Sequence, residues 1–476
     1  MQTKPKYNPV TPAIANELKG IVGDKYVVYG DAEALAPYSH DEVKAPQYHA
    51  MPECLVRPKT ADEISRIMKL ANRERIAITP RGAGSGLSGG AVPIHGGVVL
   101  LVDRMNQIIE IDRDNMMAVV EPGVVTNEIN EAIRQHGLFY AGYPMSLETC
   151  YVGGNVAENA GGGKAVKYGV TGRYITGLEV VTPTGDIVEM GGKLVKDVTG
   201  YNLIGLMVGS EGTLGIFTKI VIKLMPLPKA CVDLLVLFPS PESAIAAVPA
   251  IMTSGGLIPT SIEFMDQTSV RSACEYLNES LPWQNCGAML LITVDGADSE
   301  QVQREYETIG ELCLSGGAIE VYVADNYTTS ERIWKVRRNI PESFAVVSPQ
   351  QANEDLVVPM AAIPQLVAAM REISAKYGMA IPSYGHAGDG NLHTRLVKNP
   401  DWSDEKWNQT LPKVLGELYE RTAELGGKIS GEHGIGHKRK KYMPMFVSPE
   451  YITMMRAIKT ALDPNNVLNP GKIFDV

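Results

Sequence analysis

Two short segments near the C-terminal end of the chain concentrate residue types that do chemistry. GHAGDGNLH (385–393) and GEHGIGH (431–437) hold four of the eight histidines, His386, His393, His433 and His437, with Glu432 among them. Imidazole is the commonest metal ligand and the usual acid–base group near neutral pH. A carboxylate beside two or three histidines is the donor set of a divalent metal site. Asp389-Gly390 is a two-residue hairpin signal. A hairpin on that turn pairs 388 with 391, 387 with 392 and 386 with 393. His386 and His393 are then cross-strand neighbours ~5 Å apart on one face. The plain alternative is a glycine turn carrying two surface histidines. The run Lys438-Arg439-Lys440-Lys441 that follows reads as a solvated turn rather than a phosphate site.

The rest of the chain has to position these groups. At 476 residues it has room for two or three domains, and 45% hydrophobic residues supply a core. A formal net charge of −10 disfavours a nucleic-acid partner, which needs a basic face. No apolar run approaches the ~18 residues of a membrane span. MQTKPKYNPVTPAIANELKG at the start lacks the apolar stretch of a signal peptide, so the expected location is cytoplasmic. Cys54, Cys150, Cys231, Cys274, Cys286 and Cys313 are scattered without a CxxC. They read as reduced core residues and cannot hold an iron–sulfur cluster.

Cys54-Leu55-Val56 reads as a strand, Thr60 as a helix N-cap with Glu63 completing a capping box, and Ile64, Ile67, Met68 and Ala71 as one apolar helical face. Ile76 to Thr79 then closes a β-α-β unit. Strand-like runs at 97–102, 117–120, 178–182 and 217–223, separated by glycine-rich turns, make an α+β domain ending near Pro226. From Cys231 two further β-α-β units follow, the pattern of a ferredoxin-like sandwich, a scaffold that implies no function by itself. Ser448 and Pro449 start a last helix that Asp463-Pro464 ends.

PRGAGSGLSGGAVP (80–93) matches GxGxxG at Gly84, Gly86 and Gly89. A Rossmann reading needs a helix directly afterwards. Pro93 and the strand GGVVLL follow instead, so that reading is rejected. Crowded glycines still expose backbone N–H groups and let a pyrophosphate approach, as in an anion-binding nest. The alternative is a surface turn. A second stretch, 142–192, carries Gly153-Gly154-Asn155 and Asn159-Ala160-Gly161-Gly162-Gly163, where bare backbone can lie against a flat ring. A third supplies Gly209-Ser210-Glu211-Gly212-Thr213-Leu214-Gly215.

PRGAGSGLSGG, GGNVAENAGG, VGSEGTLGI, GHAGDGNLH, GEHGIGHK and LDPNNVLNPGK occur in this order across nearly the whole chain. Together they resemble the flavoproteins of the vanillyl-alcohol-oxidase (PCMH) type. The branch they resemble holds the FAD-carrying chain of glycolate oxidase, D-lactate dehydrogenases (electron-bifurcating ones included) and D-2-hydroxyglutarate dehydrogenase. The resemblance implies an α+β fold: a two-subdomain FAD-binding domain (51–228) after a helical segment (1–50), a ferredoxin-like substrate cap (229–440), and a C-terminal segment (441–476) returning to the FAD domain. It implies that Arg81, Gly82, Ala83, Gly84, Ser85 and Gly86 hold the FAD pyrophosphate. Pro144, Thr149, Gly153, Gly154, Asn159 and Gly162 would line the flavin, with Ile216 near the adenine and Asn469 near the ring. Some relatives attach the flavin through a histidine in the first glycine loop. Ser85 and Gly86 stand there, so the FAD is expected to be non-covalent.

By the same resemblance His386, His393 and Glu432 are ligands of a divalent metal (zinc, iron or manganese), His433 is the base, Asn391 approaches the substrate, and His437 is structural or behind the ligands. Arg337 matches the arginine of the family's Trp-x-x-Arg pattern, suited to a carboxylate. D-2-hydroxyglutarate dehydrogenase has a lysine for its second carboxylate near the segment Asn353 to Pro359. Its absence here argues for a monocarboxylate such as D-lactate or glycolate. The implied activity is oxidation of a D-2-hydroxy acid to the 2-oxo acid, with hydride transfer to flavin N5. Electrons would then leave to an electron-transferring flavoprotein or an iron–sulfur subunit. The other readings are a non-catalytic or differently specific flavin subunit of a glycolate oxidase-type complex, and a metal-dependent hydrolase that would leave the glycine-rich domain without a use.

Overall fold

The computed structural model describes residues 7–43, 45–348 and 350–476, and in it the chain divides into two compact units. Residues 1–6 and 44 of the expected N-terminal helical segment lie outside the described residues. The first unit comprises Met1–Gly161, Val170–Pro226 and Glu432–Val476. In it β1 (Val27–Tyr29), β2 (Cys54–Val56), β3 (Ile78–Arg81) and β4 (Val98–Leu101) form a sheet in the order β1-β2-β4-β3. β2 and β3 both run parallel to β4, and helix Ala61–Glu74 makes the crossover between them. Thr60 accepts from the Glu63 N–H at 3.2 Å. The Glu63 side chain reaches back to the Lys59 N–H at 2.6 Å, one residue earlier than a capping box requires. Ile64, Ile67, Met68 and Ala71 are buried against Val56, Val98 and Leu100, each large side chain contributing roughly 1.5–3 kcal/mol.

The second sheet of this unit is antiparallel, in the order β5-β6-β10-β8-β9: β5 (Ile108–Asp112), β6 (Met117–Val120), β8 (Ile175–Val181), β9 (Ile187–Gly191) and β10 (Ile216–Lys223). β7 (Leu138–Phe139) pairs with β11 (Met225–Pro226). The C-terminal segment returns to the first sheet. Ile78 N–H donates to Val467 at 2.8 Å, and Asn469 N–H to Ile78 at 2.7 Å. Lys459, buried on helix Pro449–Leu462, fixes the return through Asp463 (2.6 Å), Leu468 O (2.7 Å) and Thr213 O (2.8 Å).

The second unit comprises Gly162–Gly169 and Leu227–Gly431. Its sheet holds β12 (Ala230–Phe238), β13 (Ser261–Asp266), β14 (Ala288–Gly296), β15 (Glu320–Ala324), β16 (Gln351–Val357), β17 (Ser383–His386) and β18 (Asn391–Val397), in the order β15-β12-β14-β13-β17-β18-β16. The first four strands, with crossover helices Pro241–Thr253 and Ser299–Ser315, have the ferredoxin-like order expected from two successive β-α-β units. The other three extend it beyond β13. Paired residues share a face, so one row reads Leu235, Leu291, Glu263, His386, Asn391 across the sheet. The next row on the same face reads Leu237, Met289, Met265, Tyr384, His393, Asp355. Both rows are apolar where helices Gln267–Leu277 and Tyr327–Val347 cover them, packing Val270, Ala273, Ile333, Val336 and Ile340 on Leu235, Leu237, Met289 and Leu291. They turn polar at β13, β17, β18 and β16.

Candidate active site

The expected histidine hairpin has a different register. His386 pairs with Asn391 and Tyr384 with His393, so four residues, not two, connect β17 to β18. Ala387–Asp389 form a 3-10 turn closed by Gly390 at φ +86°, and Gly388 lies against Val166. The Asp-Gly pair thus ends a wider turn packed on its surroundings instead of forming a tight type I′ turn. The slip is two residues, one full side-chain period, so both histidines stay on one face.

On that face the two imidazoles meet edge to face, with centroids 5.1 Å apart and Nε2 atoms 3.4 Å apart. His386 Nδ1 donates to Glu263 Oε1 at 2.6 Å. A carboxylate only accepts, so Nδ1 carries the proton and Nε2 keeps its lone pair. His393 Nδ1 lies 3.7 Å from Asp355 Oδ1. Two imidazole nitrogens bound at ~2.0–2.1 Å to one tetrahedral metal stand ~3.3 Å apart, so this pair fits a shared ion. A carboxylate behind each ring is the usual support for such ligands.

Glu263 and Asp355 are both fully buried. Burial pushes the Glu263 carboxyl up, but His386 and Arg337 beside it outweigh this and hold it at about 2. Arg337, itself buried, points Nε (2.8 Å) and Nη2 (2.6 Å) at Glu263 Oε2. One helical turn earlier, Trp334 Nε1 donates to Asp233 Oδ2 at 3.1 Å. The Trp-x-x-Arg spacing therefore anchors one helix face to two carboxylates of the sheet. Asn391 Nδ2 donates to Asp355 Oδ1 (2.7 Å) and Leu356 O (3.0 Å). This fixes the amide and leaves Oδ1 buried with no partner among the described residues, an acceptor awaiting a donor. Asp355 Oδ2 accepts from Ser430 Oγ (2.6 Å) and from the N–H of Gly431 (3.0 Å), the residue before Glu432 in the chain. A Cβ on Gly163 would lie 2.7 Å from Glu263 Oε1, so only glycine lets the segment that begins with Gly162 lie against this cluster.

Arg81 to Gly86, Pro144, Thr149, Gly153, Gly154, Asn159, Ile216, Asn469, Glu432 and His433 belong to the first unit, and Gly162, Arg337, His386, Asn391 and His393 to the second. Among the described residues no protein acceptor takes the backbone N–H of any residue from Gly82 to Ser88, a run of unspent donors suited to a phosphate. Arg81 braces this loop, Nη1 donating to His40 O (2.8 Å) and Ala91 O (3.4 Å). At Gly84, with φ +80°, a Cβ would fall 2.1 Å from the guanidinium. Gly82 approaches Gly154 to within 3.8 Å of its N, so two of the glycine-rich stretches adjoin. Thr149 is exposed and Pro144 half-buried; Ile216 is buried at the start of β10. Asn469, left-handed at φ +42°, donates to Gly90 O (3.1 Å) and Glu211 O (2.8 Å).

Glu211 also accepts from the N–H groups of Ile435 (2.7 Å) and Gly436 (2.6 Å), clamping the loop that follows His433. His433 Nε2 is 3.4 Å from Glu432 Oε1. Arg439 overturns the reading of 438–441 as a solvated turn: it is fully buried and donates to Gly434 O at 3.0 Å. Burial raises both the Glu211 and Glu158 carboxyls; Ile435, Gly436 and Arg439 pull Glu211 back, while Glu211 and Asp41 push Glu158 further up.

Residues 52–191 match the family model described as FAD binding domain, and residues 227–473 match that described as FAD linked oxidases, C-terminal domain. The chain is 42% identical to glycolate oxidase subunit GlcD of Bacillus subtilis (strain 168), covering 98% of this chain and 97% of that protein. The chain belongs to the FAD-linked oxidase family. To a D-lactate dehydrogenase of Anaerostipes hadrus it is 37% identical, over 98% of each chain. A solved structure of p-cresol methylhydroxylase superposes with a TM-score of 0.79 at 19% identity, covering 97% of this chain and 96% of that one, which identifies the PCMH-type fold. The protein is an FAD-dependent oxidoreductase.

Sequence reading missed Glu263, Asp355 and Tyr384 in this oxidase. Glu263 carried a signal: it is the one charge inside the otherwise apolar start of SIEFMD. Asp355 and Tyr384 carried none, because only strand pairing puts them beside the histidines. All six cysteines are free thiols; Cys231 is exposed rather than in the core. No helix among the described residues is long and apolar enough to cross a membrane.

Proposed function

We propose that this oxidase converts a D-2-hydroxy acid to the 2-oxo acid at the His386–His393 pair. The observation that carries the reading is the 3.4 Å separation of the two Nε2 atoms, each ring backed by a buried carboxylate. His386 and His393, with Glu432 from the next segment, would hold a divalent metal. Bound FAD supplies the two-electron acceptor for the hydride from C2, and a bound metal supplies a Lewis acid for the hydroxyl. Arg337 has spent Nε and Nη2 on Glu263, and its remaining edge would take the substrate carboxylate. Asn391 Oδ1 would accept from the substrate hydroxyl, and His433 would take the hydroxyl proton as base. The relatives' names support D-lactate and glycolate as substrates to try first.

The scattered cysteines leave no iron–sulfur relay in the chain, which supports a separate electron acceptor, either an electron-transferring flavoprotein or an iron–sulfur subunit. The test is anaerobic bleaching of the flavin by a panel of D- and L-2-hydroxy acids. Bleaching by a D-acid and not by its L-enantiomer is expected. A yellow protein that none of them bleaches would sink the proposal and favour a non-catalytic flavin subunit.

A further inference from the structure

We infer that Arg395, with Tyr384, is the recognition point for a second anionic group on the substrate, so the acid this site takes best is a D-2-hydroxy dicarboxylate of four or five carbons. The inference rests on the proposed D-2-hydroxy acid oxidation and adds its substrate class. Arg395 follows His393 by two residues in β18 and so faces the same way. It is 9% exposed. Its Nε and Nη2 donate to Tyr384 Oη at 3.2 and 3.1 Å, and Nη1 to Gln351 Oε1 at 3.3 Å. These partners are neutral, and among the described residues no carboxylate lies within ion-pair distance of it. Buried guanidinium groups ordinarily have an anion, because the desolvated charge must be matched. The buried cations Arg337 and Lys459 each have a carboxylate at 2.6 Å. Arg395 is thus a cation on the histidine face whose counter-charge the protein does not provide.

Tyr384 links this cation to the proposed chemistry. Its ring centroid is 5.5 Å from that of His393 and 5.0 Å from the Arg337 guanidinium carbon. Its hydroxyl receives both Arg395 N–H bonds, so its own proton is free to be donated to an anion. Two residues of strand separate Arg395 from His393 by ~6.8 Å, and with side chains reaching inward that suits the carboxylate-to-carboxylate span of a four- or five-carbon diacid. The missing lysine of segment 353–359 had argued for a monocarboxylate. Arg395 is the cross-strand partner of Asn353, so a cation stands on the adjacent strand at the same level.

The experiment measures anaerobic flavin bleaching of the holoenzyme by D-lactate, glycolate, D-malate and D-2-hydroxyglutarate, for wild type and Arg395→Met. The wild type should bleach with a diacid about tenfold or more efficiently than with D-lactate. In Arg395→Met the diacid-to-lactate ratio should fall about 10- to 100-fold, the effect of one charge-assisted interaction. Arg395→Gln, which retains donors for Tyr384, takes its place if the Met variant loses FAD. Bleaching by monoacids but not diacids, or an unchanged ratio in the variant, overturns the inference. If no acid bleaches the flavin, the oxidation reading itself fails. The subsite is then judged by titrating 2-oxoglutarate and pyruvate against flavin absorbance. Tighter binding of 2-oxoglutarate, lost in Arg395→Met, upholds it, and equal binding by both proteins overturns it.

Discussion

Glu263→Gln is the sharpest perturbation the site offers, because it alters one atom and predicts a specific chemical failure. Glu263 presents Oε1 to the His386 Nδ1 proton at 2.6 Å and Oε2 to Arg337 Nε at 2.8 Å. A glutamine has one acceptor oxygen and one amide NH2. Arg337 carries only donors, so it claims the oxygen. The NH2 then faces His386 Nδ1, which must become an acceptor. The ring proton moves to Nε2, the atom aimed at His393, and a protonated Nε2 cannot ligate a metal. Loss of a partner behind a metal-ligating histidine costs about 10–100-fold in metal affinity, or about 1.4–2.7 kcal/mol at 1.4 kcal/mol per tenfold. An enforced wrong tautomer has cost about 10⁴-fold in turnover where an aspartate behind a catalytic histidine became asparagine. The amide oxygen still serves Arg337, so the fold should be spared much of the ~3–5 kcal/mol that removing one partner of a buried pair costs. The assay compares metal per protein by elemental analysis, FAD per protein by absorbance, and anaerobic bleaching rate. FAD should stay, while metal and bleaching fall together. A variant that holds metal as the wild type does and bleaches within about threefold of its rate would refute the tautomer argument and with it the ligand role of His386.

Three further outcomes are expected. Gly84→Ala places a Cβ 2.1 Å from the Arg81 guanidinium at a residue with φ +80°, so the purified variant should be colourless or weakly yellow; a full complement of FAD would show that this loop does not cradle the cofactor. Thr60→Ala removes the acceptor for the Glu63 N–H and should cost about 0.5–2 kcal/mol in denaturant unfolding without changing flavin bleaching. Burial, with Lys440 and Lys472 nearby, lowers His437 from 6.5 to about 4. Between those values the unfolded chain binds a proton the folded chain refuses, so stability falls as pH drops from about 6.5 to 4. His437→Gln should flatten that fall by at most about 3 kcal/mol, and an unchanged stability–pH curve would show that His437 is not held neutral.

The β-α-β units, the capped helix at Thr60 and the four ferredoxin-like strands were legible because local patterns specify them. Period-2 and helical apolar repeats, glycines and caps act within a few residues. The glycine loops were legible for the same reason: an unspent run of N–H groups from Gly82 to Ser88 needs only a chain too glycine-rich to fold back on itself. What sequence could not give is whatever sheet order decides. Glu263 and Asp355 stand beside the histidines only because β13 and β16 flank the β17–β18 hairpin, and their separations of 123 and 38 positions from the histidines they support leave no local trace. Arg439 was misread for a related reason. Four cations in a row look solvated until a distant pair, Glu158 and Glu211, is found buried beside one of them.

The histidine pair survived an error that would ordinarily have destroyed it. The Asp389-Gly390 turn gave the wrong register, yet the inference that both imidazoles serve one ion stands on firmer geometry than before. Side chains alternate along a strand, so a slip of one residue sends a group to the opposite face and a slip of two returns it. The observed slip is two. In the expected register His386 and His393 would have stood directly opposite. In the observed one they sit diagonally, which turns the rings 87° to each other and brings Nε2 to Nε2 at 3.4 Å. Diagonal neighbours on one face leave room behind each ring for the next strand out, and Glu263 on β13 and Asp355 on β16 occupy those places. A directly opposed pair would have put Asn391 elsewhere. As built, Asn391 is the cross-strand partner of His386, and its unpartnered Oδ1 belongs to the same row as the imidazole. The four-residue turn therefore sets two ligands and one substrate acceptor together, which the tight turn would not have done.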